Sequence, residues 1–475
     1  MSEQGLWTVE ELLAATGGHL EGAEVSGELT GVEIDSRSVG KGDIFIAIKG
    51  ENQDGHLYVA KGLKAGAGLA IVSKVDDEMR AGGPLLVVDD TLKAMEQIGM
   101  ARRAGSKAQI IAVTGSVGKT TTKDALAVGL AACGKTHASV ASYNNQWGVP
   151  LTLARMPRDA QYAVFEIGMN HAGEISTLVK MVRPHIAIIT AIAESHLGHF
   201  ASIEKIADAK AEIFDGIEKG GSAVLNQDSS FFEMLSAKAK KAGVENIIGF
   251  GKAVGGDVQL GKAVLHNSCS CVSAKVFGED VTFKLGSPGE HVVMNTLAVL
   301  AAIKLVDADL ALAVLALAGL TPPKGRGVRY QLLAKDGEFL VIDESYNANP
   351  ASMRAALALL GRAEAKQGGR RIAVLGDMLE LGDNAQQLHL DLVEPIEEAG
   401  VDRVYACGPM MESLFRQLSA FRQALWKQSS SELERQLMSE IRAGDVIMIK
   451  GSLGSKMGPL LEAIKHRFKM ADKAA

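Results

Sequence analysis

The chain is organised around the stretch Ile110-Ile111-Ala112-Val113-Thr114-Gly115-Ser116-Val117-Gly118-Lys119-Thr120-Thr121-Thr122. This stretch opens with an apolar, β-branched run, which is typical of a buried parallel strand. A glycine loop follows, and a helical pattern then continues to about Cys133. A strand, a glycine loop and Gly-Lys-Thr at the start of a helix together predict a phosphate-binding loop, in which backbone N–H groups surround phosphate oxygens.

In such a loop the ammonium group of Lys119 neutralises phosphate, and the hydroxyl group of Thr120 reaches Mg²⁺. The general pattern G-x-x-x-x-G-K-[ST] has glycine at the position of Val113, so this chain carries the narrower pattern T-G-x-x-G-K-T-T over residues 114–121. A glycine-rich turn that merely precedes a helix is the alternative. The strand before the loop and the helix after it favour phosphate binding.

Length and composition limit the number of domains and the kinds of partner that can be expected. With 475 residues the chain is too long for one core, so we expect two to four domains. The net charge is −6 and no long basic run occurs, which argues against nucleic acid as a partner.

The four cysteines show neither metal-ligand nor disulfide spacing, which suits a reducing cytoplasm. The first residues lack the pattern of a secretory signal. The longest apolar run, Leu310 to Leu320, is shorter than the ~20 residues that a membrane span needs. We therefore predict no membrane span and interpret this run as a core helix.

Residues 1–107 read as a compact α/β unit. Predicted strands at 31–34 and 44–48 are followed by the polar loops 35–37 and 49–56. Loops at strand ends are candidate ligand sites. Ordinary polar turns are an equally good interpretation of these residues alone.

In residues 108–320, two further strands end in candidate metal ligands. The strand Tyr162–Phe165 ends in Glu166, and a predicted strand at 186–192 leads to His196. The carboxyl edge of a parallel sheet is where ligands bind, and an acid there commonly holds the Mg²⁺ of a nucleotide. A solvated strand-end Glu and a surface His are the alternatives. Residues 143–150 break any periodicity, so we predict a loop there.

A predicted helix at 202–217 places one lysine on its apolar face. Spacing by three and four puts Lys210 between Ile206 and Ile213, whereas Lys205 falls elsewhere. A desolvated lysine has a lowered pKa and a nucleophilic amine, which can pair with an anion or react with CO₂ to give a metal-ligating carbamate. Periodicity alone favours the alternative, in which Lys210 extends its charge to solvent at the edge of the stripe.

Further along, His291 and Asn295 lie one helical turn apart, on a face that also suits simple packing. The breaker cluster of residues 321–327 marks a boundary. A new series of strands and helices then predicts a second parallel sheet in residues 321–475. Its strands end in residues 343–350, 376–382, 407–409 and 450–456, and Asn349 with Pro350 begins a helix.

Taken in order, these motifs resemble those of the Mur ligase family, which makes the cytoplasmic peptidoglycan precursor. The resemblance covers nearly the whole chain. It rests on TGSVGKTT (114–121), YNNQWGVP (143–150), FEIG (165–168), His196, ADAK (207–210), GEHVVMN (289–295), GRG (325–327), DESYNANPASM (343–353), GDMLELG (376–382) and KGSLGSKM (450–457).

The resemblance implies an α/β protein of three domains. A small α/β domain (1–107) would bind the UDP substrate, a central domain with a parallel sheet of the P-loop ATPase type (108–320) would bind ATP, and a Rossmann-like domain (321–475) would bind the incoming dipeptide. Within the family, DESYNANP and NN-x-x-G-x-P resemble members that add D-alanyl-D-alanine to UDP-N-acetylmuramoyl-tripeptide. The DNPR-type motif of diaminopimelate-adding members is absent.

The resemblance also implies roles for individual residues. ATP and two Mg²⁺ ions would be the cofactors. The catalytic residues would be Lys119, Glu166, His196 and a carbamylated Lys210. Metal ligands would be Thr120, Glu166, His196 and Lys210. ATP would contact Thr114, Gly115, Ser116, Val117, Gly118, Lys119, Thr120, Thr121, Asn144, His291, Asn295, Arg326, Asp343, Tyr346 and Asn347, with Asn295 at the adenine, and Arg326 and Asp343 reaching the phosphates and ribose across a cleft.

By the same resemblance, Ser36, Arg37, Lys49, Asp54 and His56 would bind the UDP end, and residues 376–382 and 450–456 would take part in dipeptide binding. We expect a cytoplasmic monomer that closes at a hinge in residues 321–327. Two alternatives are a related ligase that adds a single amino acid and a nucleotide switch. A switch predicts a guanine-reading Asn-Lys-x-Asp, and the nearest stretch, Asn226-Gln227-Asp228, lacks it.

Overall fold

The computed structural model describes residues 5–50, 53–194, 198, 200, 202–366 and 368–471. Three β-sheets follow one another along this part of the chain, at residues 19–87, 109–285 and 328–470. Each sheet lies inside one of the three regions that the sequence predicts. No helix in the described ranges has the length and apolar character needed to cross a bilayer.

The first sheet has the order β1-β5-β4-β3-β2, and all of its pairs are parallel except β1 with β5. Its strands are β1 (His19–Gly22), β2 (Gly31–Glu33), β3 (Asp43–Ile46), β4 (Leu69–Val72) and β5 (Pro84–Val87). Its helices are α1 (Val9–Thr16), α2 (Val59–Ala65), α3 (Asp77–Gly82) and α4 (Thr91–Gly105), and a 3₁₀ turn spans Gly55–Tyr58.

The central sheet has the order β14-β13-β12-β11-β10-β9-β6-β8-β7. Its strands are β6 (Gln109–Thr114), β7 (Thr136–Ala138), β8 (Tyr162–Glu166), β9 (Ile186–Ile189), β10 (Ser222–Asn226), β11 (Asn246–Gly251), β12 (Val258–Leu265), β13 (Ser270–Val276) and β14 (Glu279–Leu285). Its helices are α5 (Lys119–Ala131), α6 (Gly148–Ala154), α7 (Glu174–Val182), α8 (Ile203–Ala211), α9 (Phe232–Lys241), α10 (Glu290–Leu305) and α11 (Leu310–Leu317).

The last sheet has the order β19-β18-β17-β20-β16-β15-β21. Its strands are β15 (Val328–Ala334), β16 (Gly337–Glu344), β17 (Arg371–Gly376), β18 (Arg403–Cys407), β19 (Gln423–Lys427), β20 (Val446–Lys450) and β21 (Lys469–Met470). Its helices are α12 (Pro350–Arg362), α13 (Ala385–Leu390), α14 (Val393–Glu398), α15 (Pro409–Gln417), α16 (Ser430–Glu440) and α17 (Met457–Arg467).

The prediction of parallel sheets is right for the strands that carry the site and wrong at the edges. Strands β12 to β14 form antiparallel pairs, and β15 is antiparallel to both β16 and β21. The strands that were not predicted from the sequence are β1, β5, β7, β12, β13, β15, β19 and β21. Tight hairpins join β12 to β13 and β15 to β16, so no helix separates these strands along the chain.

Several predicted element bounds are also wrong. Helix α6 begins at Gly148, inside the predicted loop 143–150, and β9 ends at Ile189 rather than at residue 192. The predicted helix 202–217 is α8 followed by a 3₁₀ turn over Glu212–Gly216. Helix α11 is not a core helix throughout, because Leu312 and Leu315 are exposed.

Strand β6 fixes the position of the phosphate loop. Its successive side chains point to opposite faces, so Ile111 and Val113 pack into one hydrophobic core while Ile110 and Ala112 pack into another. The strand is parallel to both β8 and β9, with Val113 paired to Glu166 and Thr114 to Ile189. The carboxyl ends of all three strands therefore meet at the edge where the loop begins.

Candidate active site

A cavity of about 610 Å³ lies between the carboxyl edges of the central and last sheets. The central domain lines it with the phosphate loop and the start of α10. The last domain lines it with the loops that follow β16, β17 and β20. The cavity lining includes Ser116, Val117, Gly118, Lys119, Thr120, Thr121, Thr190, His291, Asn295, Arg326, Glu344, Tyr346, Asn347, Leu379, Leu453, Gly454 and Lys450.

Two positions in the phosphate loop require glycine. Gly115 has φ +151°, and a Cβ atom there would lie 2.0 Å from the hydroxyl oxygen of Thr190. Gly118 has φ +87°, and a Cβ atom there would lie 2.4 Å from the amide nitrogen of Asn295. Bare backbone between these contacts leaves the loop open for an anion at the N-terminus of α5.

The residues after β9 hold this loop in shape. The N–H of Ser116 donates to the carbonyl oxygen of Ala191 over 2.7 Å, and its hydroxyl donates to that of Ala193 over 2.9 Å. The hydroxyl of Thr190 donates to the carbonyl oxygen of Val117 over 2.6 Å. The sequence analysis missed Thr190, although its place directly after a buried strand was a usable signal.

Lys119 is a half-buried cation within the loop. Its Nζ donates to the carbonyl oxygen of Gly115 over 2.7 Å. Burial lowers the pKa of Lys119, the nearby carboxylate of Glu166 opposes that shift, and the charge of Arg326 adds to it. A cation that is partly removed from water favours binding of a phosphate anion.

Glu166 is 1% exposed, so the interpretation as a solvated strand-end acid is wrong. Its Oε1 accepts a hydrogen bond of 2.7 Å from the side-chain amide of Asn144. The backbone carbonyl oxygen of Asn144 in turn accepts the N–H of Gly168 over 2.8 Å. Its Oε2 is buried without a hydrogen-bond partner among the described residues. A carboxylate held at one oxygen and bare at the other suits a cation ligand.

Thr120 is the second predicted metal ligand that can be described. Its side chain is buried, and its hydroxyl oxygen lies 3.2 Å from that of Ser142. The sequence analysis did not identify Ser142. Thr114 is buried within β6, and its hydroxyl has no partner among the described residues. The predicted ligand His196 lies outside the described residues.

Lys210 is 2% exposed, so the interpretation that it extends its charge to solvent is wrong. Burial lowers its pKa far below the usual range, and the charge of Lys119 lowers it further. Within the described ranges, no carboxylate forms an ion pair with Lys210. The buried side chain is therefore a lysine that favours the neutral amine.

On the far wall, Arg326 stacks on the ring of Tyr346 at 4.4 Å. Asp343 fixes the turn that carries Arg326. Its carboxylate accepts hydrogen bonds from the N–H of Gly325 over 3.0 Å and from the hydroxyl of Ser345 over 2.6 Å. Because Asp343 is fully buried and does not line the cavity, the structure places it behind Arg326 rather than facing a ribose.

The neighbouring acid does line the cavity. Glu344 pairs in register with Lys450 on β20, and the carboxylate and ammonium groups lie 3.5 Å apart. Lys450 Nζ also donates to the carbonyl oxygen of Asn347 over 2.9 Å, and burial lowers the pKa of Lys450. The sequence analysis missed both Glu344 and Lys450 as single site residues, although it placed their loops at the site.

The predicted UDP-binding residues do not line this cavity. Arg37 is exposed and paired with Asp35, and Lys49 is exposed. His56 is buried, and its Nε2 accepts the N–H of Ser73 over 2.9 Å while Nδ1 lies 2.7 Å from Asp54. Ser36 is buried as well. His56 and Asp54 therefore shape the loop 49–56.

The loop 49–56 lies close to the segment that holds Glu166. A Cβ atom on Gly50 would lie 3.3 Å from the ring of Trp147. Trp147 belongs to the same segment, residues 143–148, as Asn144, which holds Glu166. The first domain thus contacts the segment that orients the carboxylate.

Comparisons with known proteins are consistent across the chain. Residues 28–103 match the Mur ligase family catalytic domain, residues 113–303 the Mur ligase middle domain, and residues 328–453 the Mur ligase glutamate ligase domain. The UDP-N-acetylmuramoyl-tripeptide--D-alanyl-D-alanine ligase of Rickettsia prowazekii is 33% identical over 96% of this chain and 99% of its own.

Solved structures give the same result. A crystal structure of MurF from Acinetobacter baumannii superposes with a TM-score of 0.83 at 33% identity, covering 97% of this chain and 99% of its own. MurF from Thermotoga maritima, in complex with ADP, superposes with a TM-score of 0.75 at 25% identity, covering 92% of this chain and 97% of its own. The chain belongs to the Mur ligase family.

Proposed function

We propose that this chain joins D-alanyl-D-alanine to UDP-N-acetylmuramoyl-tripeptide through an amide bond at the expense of ATP, in the synthesis of the peptidoglycan precursor. The observation that carries the proposal is one cavity that joins a phosphate loop to a wall of the last domain. Relatives similar to the whole chain bear this activity in their names. The proposal includes a cytoplasmic location, since all four cysteines are unpaired.

ATP binds with its β- and γ-phosphates in the loop of residues 115–120, beside Lys119. His291 and Asn295 line the same cavity one turn apart on α10, and we assign them to the adenine side. Arg326 approaches the phosphates from the last domain. Its charge already acts on the pKa of Lys119, so both cations lie within electrostatic reach of one anion.

The residues present fit Mg²⁺ at the phosphate end. Glu166 offers a buried carboxylate oxygen to which no described residue donates a hydrogen bond, and Thr120 offers a hydroxyl oxygen. No three His, Cys, Asp or Glu side chains cluster as ligands in the described ranges, so phosphate oxygens would complete the shell. We include His196 and a carbamylated Lys210 as further ligands. Bound Mg²⁺ offsets the negative charge of the transferring phosphoryl group.

The cavity then suits a two-step reaction. The terminal carboxylate of the tripeptide attacks the γ-phosphorus, the bond to the β-phosphate oxygen breaks, and ADP leaves. The resulting acyl phosphate is attacked by the amine of D-alanyl-D-alanine, which loses a proton as the amide forms and phosphate departs. Lys119 and Arg326 neutralise the oxygens that gain charge, and the two walls exclude water from the acyl phosphate.

The segment that we propose to bend is shorter than the hinge expected from the sequence, residues 321–327. The N–H of Gly327 donates to the carbonyl oxygen of Asp343 over 2.7 Å, and that of Tyr346 to Gly325 over 3.2 Å. Residues 325–327 are therefore fixed to the last domain. We propose that closure bends the chain within residues 321–324.

The function is tested by assaying phosphate release and amide product together against a panel of UDP-muramoyl peptides, single amino acids and dipeptides. We expect one phosphate per amide, and turnover only when UDP-N-acetylmuramoyl-tripeptide and D-alanyl-D-alanine are both present. Equal ATP turnover without either substrate would exclude the ligase. Faster use of a single amino acid would instead favour a related ligase with another substrate.

Lys119→Ala should reduce turnover by roughly 10³-fold, because it removes the charge that faces the transferring phosphoryl group. The measurement is phosphate release at saturating substrates, with circular dichroism to establish that the variant is folded. Lys135→Ala is the control, since Lys135 is exposed, forms an ion pair with Asp159 and does not line the cavity. Normal turnover by Lys119→Ala would remove the loop from the mechanism.

Lys210→Ala should lose at least about 10²-fold in turnover, and formate or acetate should restore part of it by replacing the carbamate oxygens. The exposed Lys205 on the same helix supplies the control, Lys205→Ala, which should keep full activity. Since the lowered pKa of Lys210 favours the neutral amine that CO₂ requires, wild-type activity should fall on acidification and rise with added bicarbonate. A fully active Lys210→Ala protein would show that the lysine is structural.

A further inference from the structure

A second cavity lies apart from the active site, where the first domain meets the central domain. Its volume is about 400 Å³, and none of its described lining residues also lines the active-site cavity. The first domain contributes Trp7, one side of α1 and the last turn of α4, and the central domain contributes Arg158. We refer to this cavity as the arginine pocket, because Arg102 of α4 and Arg158 are its two cations.

The arginine pocket lies at the opposite edge of the central sheet from the phosphate loop. Gly105 and Ser106 come shortly before β6, and Arg158 comes shortly before β8. The phosphate loop follows the other end of β6, a strand of 6 residues that spans roughly 20 Å. An occupant of the arginine pocket would therefore contact neither the nucleotide nor the reacting carboxylate of the proposed function.

Arg102 is a buried cation, 7% exposed, and no carboxylate in the described ranges forms an ion pair with it. Both oxygens of Glu11 accept instead from Arg158, over 2.6 and 2.5 Å. Burial and the charge of Arg158 lower the pKa of Arg102 to about 10, while the carboxylate of Glu11 opposes that shift. Arg102 is thus still charged at neutral pH. The described lining of the pocket holds two guanidinium groups and one carboxylate, an excess of one positive charge.

The hydrogen-bond donors of Arg102 are only partly used. Its Cζ atom lies 4.0 Å from the ring centre of Trp7, and a stacked guanidinium directs its N–H groups outward in its own plane. Nη2 donates to the carbonyl oxygen of Leu6. Nε is buried and has no hydrogen-bond partner among the described residues. A buried donor without an acceptor is unfavourable, so an acceptor that enters the pocket meets a cation with unused hydrogen-bonding capacity.

Ser106 adds a hydroxyl donor to the same wall. Its Oγ accepts the N–H of Ala108 over 3.1 Å, and no described residue accepts the hydroxyl proton. The N–H of Ser106 donates to the carbonyl oxygen of Arg103 over 3.3 Å, which fixes the turn after α4. Across the pocket, Ala14 and Ala101 are exposed and small, so they leave room for a molecule beside these donors.

We infer that the arginine pocket binds a small oxyanion, a carboxylate or a phosphate group, at Arg102 and Ser106. Both kinds of group present paired oxygen atoms that match the planar donors of a guanidinium. The excess positive charge disfavours a cation, and two guanidinium groups disfavour a purely apolar molecule. This site goes beyond the proposed function, which assigns no ligand to this edge of the sheet.

The test follows the indole signals of the intact protein by NMR. The chain has three tryptophans, Trp7, Trp147 and Trp426, so ¹⁵N-labelled tryptophan gives three indole signals, which single Trp→Phe variants assign. Wild type is titrated with sodium succinate and, separately, with inorganic phosphate, against sodium chloride at equal ionic strength. We expect at least one probe to shift the Trp7 signal saturably, while the Trp426 signal in the last domain stays unchanged. The probe that saturates identifies the oxyanion as carboxylate or phosphate.

Two variants of α4 and one matched control locate the binding. Ala101→Leu fills the pocket and keeps the arginine, whereas Arg102→Gln removes the charge. Ala104→Leu is the control, because Ala104 is equally exposed on α4 and does not line the pocket. The Kd for the saturating probe should rise by about 10-fold or more in the first two variants and stay within about twofold in the control. Melting temperatures establish that all three variants are folded.

The outcomes separate this site from the proposed function. If neither probe shifts the Trp7 signal saturably, or if Ala101→Leu and Ala104→Leu bind the probe alike, the assignment of the pocket is wrong and the ligase function stands. Ligation by Ala101→Leu should match that of wild type, because the pocket lies apart from the active site. Failure of wild type to form the amide would overturn the function alone, since the titration contains no substrate.

Discussion

The site depends on one constraint: two lysines beside the glycine loop of residues 115–120 are partly or fully removed from water. Lys119 is half-buried and Lys210 fully buried, and the charge of the first lowers the pKa of the second. Glu166 is the carboxylate that acts on Lys119, and one of its oxygens has no hydrogen-bond partner in the part of the chain that the structure describes. Such an arrangement is unfavourable without a ligand and favourable with phosphate and a cation. The elements from β6 to α8 surround these side chains with apolar packing that excludes water from them.

The last domain completes the site by adding a further positive charge, that of Arg326, to the charge of Lys119. The carboxylate of Asp343 holds the turn that carries Arg326, and the carboxylate of Glu344 offsets the charge of the buried Lys450. Arg326 therefore keeps its positive charge facing the phosphate end of the cavity. Apolar side chains line both walls besides these charges, among them Val292 and Met294 on α10 and Ala355 and Leu359 on α12. The phosphate loop alone would bind a nucleotide, whereas the two walls together suit ligation.

The sequence predicts those features that local pattern determines. Strand β6 follows from a continuous apolar, β-branched run, its loop from the glycine pattern, and the inward face of Lys210 from spacing by three and four, and these predictions were right. Adjacent strand residues point to opposite faces, so the sequence could not tell whether Asp343 or Glu344 faces the cavity. The pairing of Glu344 with Lys450 depends on register between strands distant in sequence. The exposure of Leu312 and Leu379 depends on what packs against them, which no local pattern records.

The central claim is that the two walls activate a carboxylate by transferring a phosphoryl group to it. The most direct measurement uses UDP-N-acetylmuramoyl-tripeptide with ¹⁸O at both oxygens of its terminal carboxylate, and mass spectrometry of the phosphate released during ligation to D-alanyl-D-alanine. Attack of the carboxylate on the γ-phosphorus predicts one ¹⁸O atom in each released phosphate, because the acyl phosphate breaks at its acyl carbon. Unlabelled phosphate, released while the amide forms at the normal rate, would contradict this account.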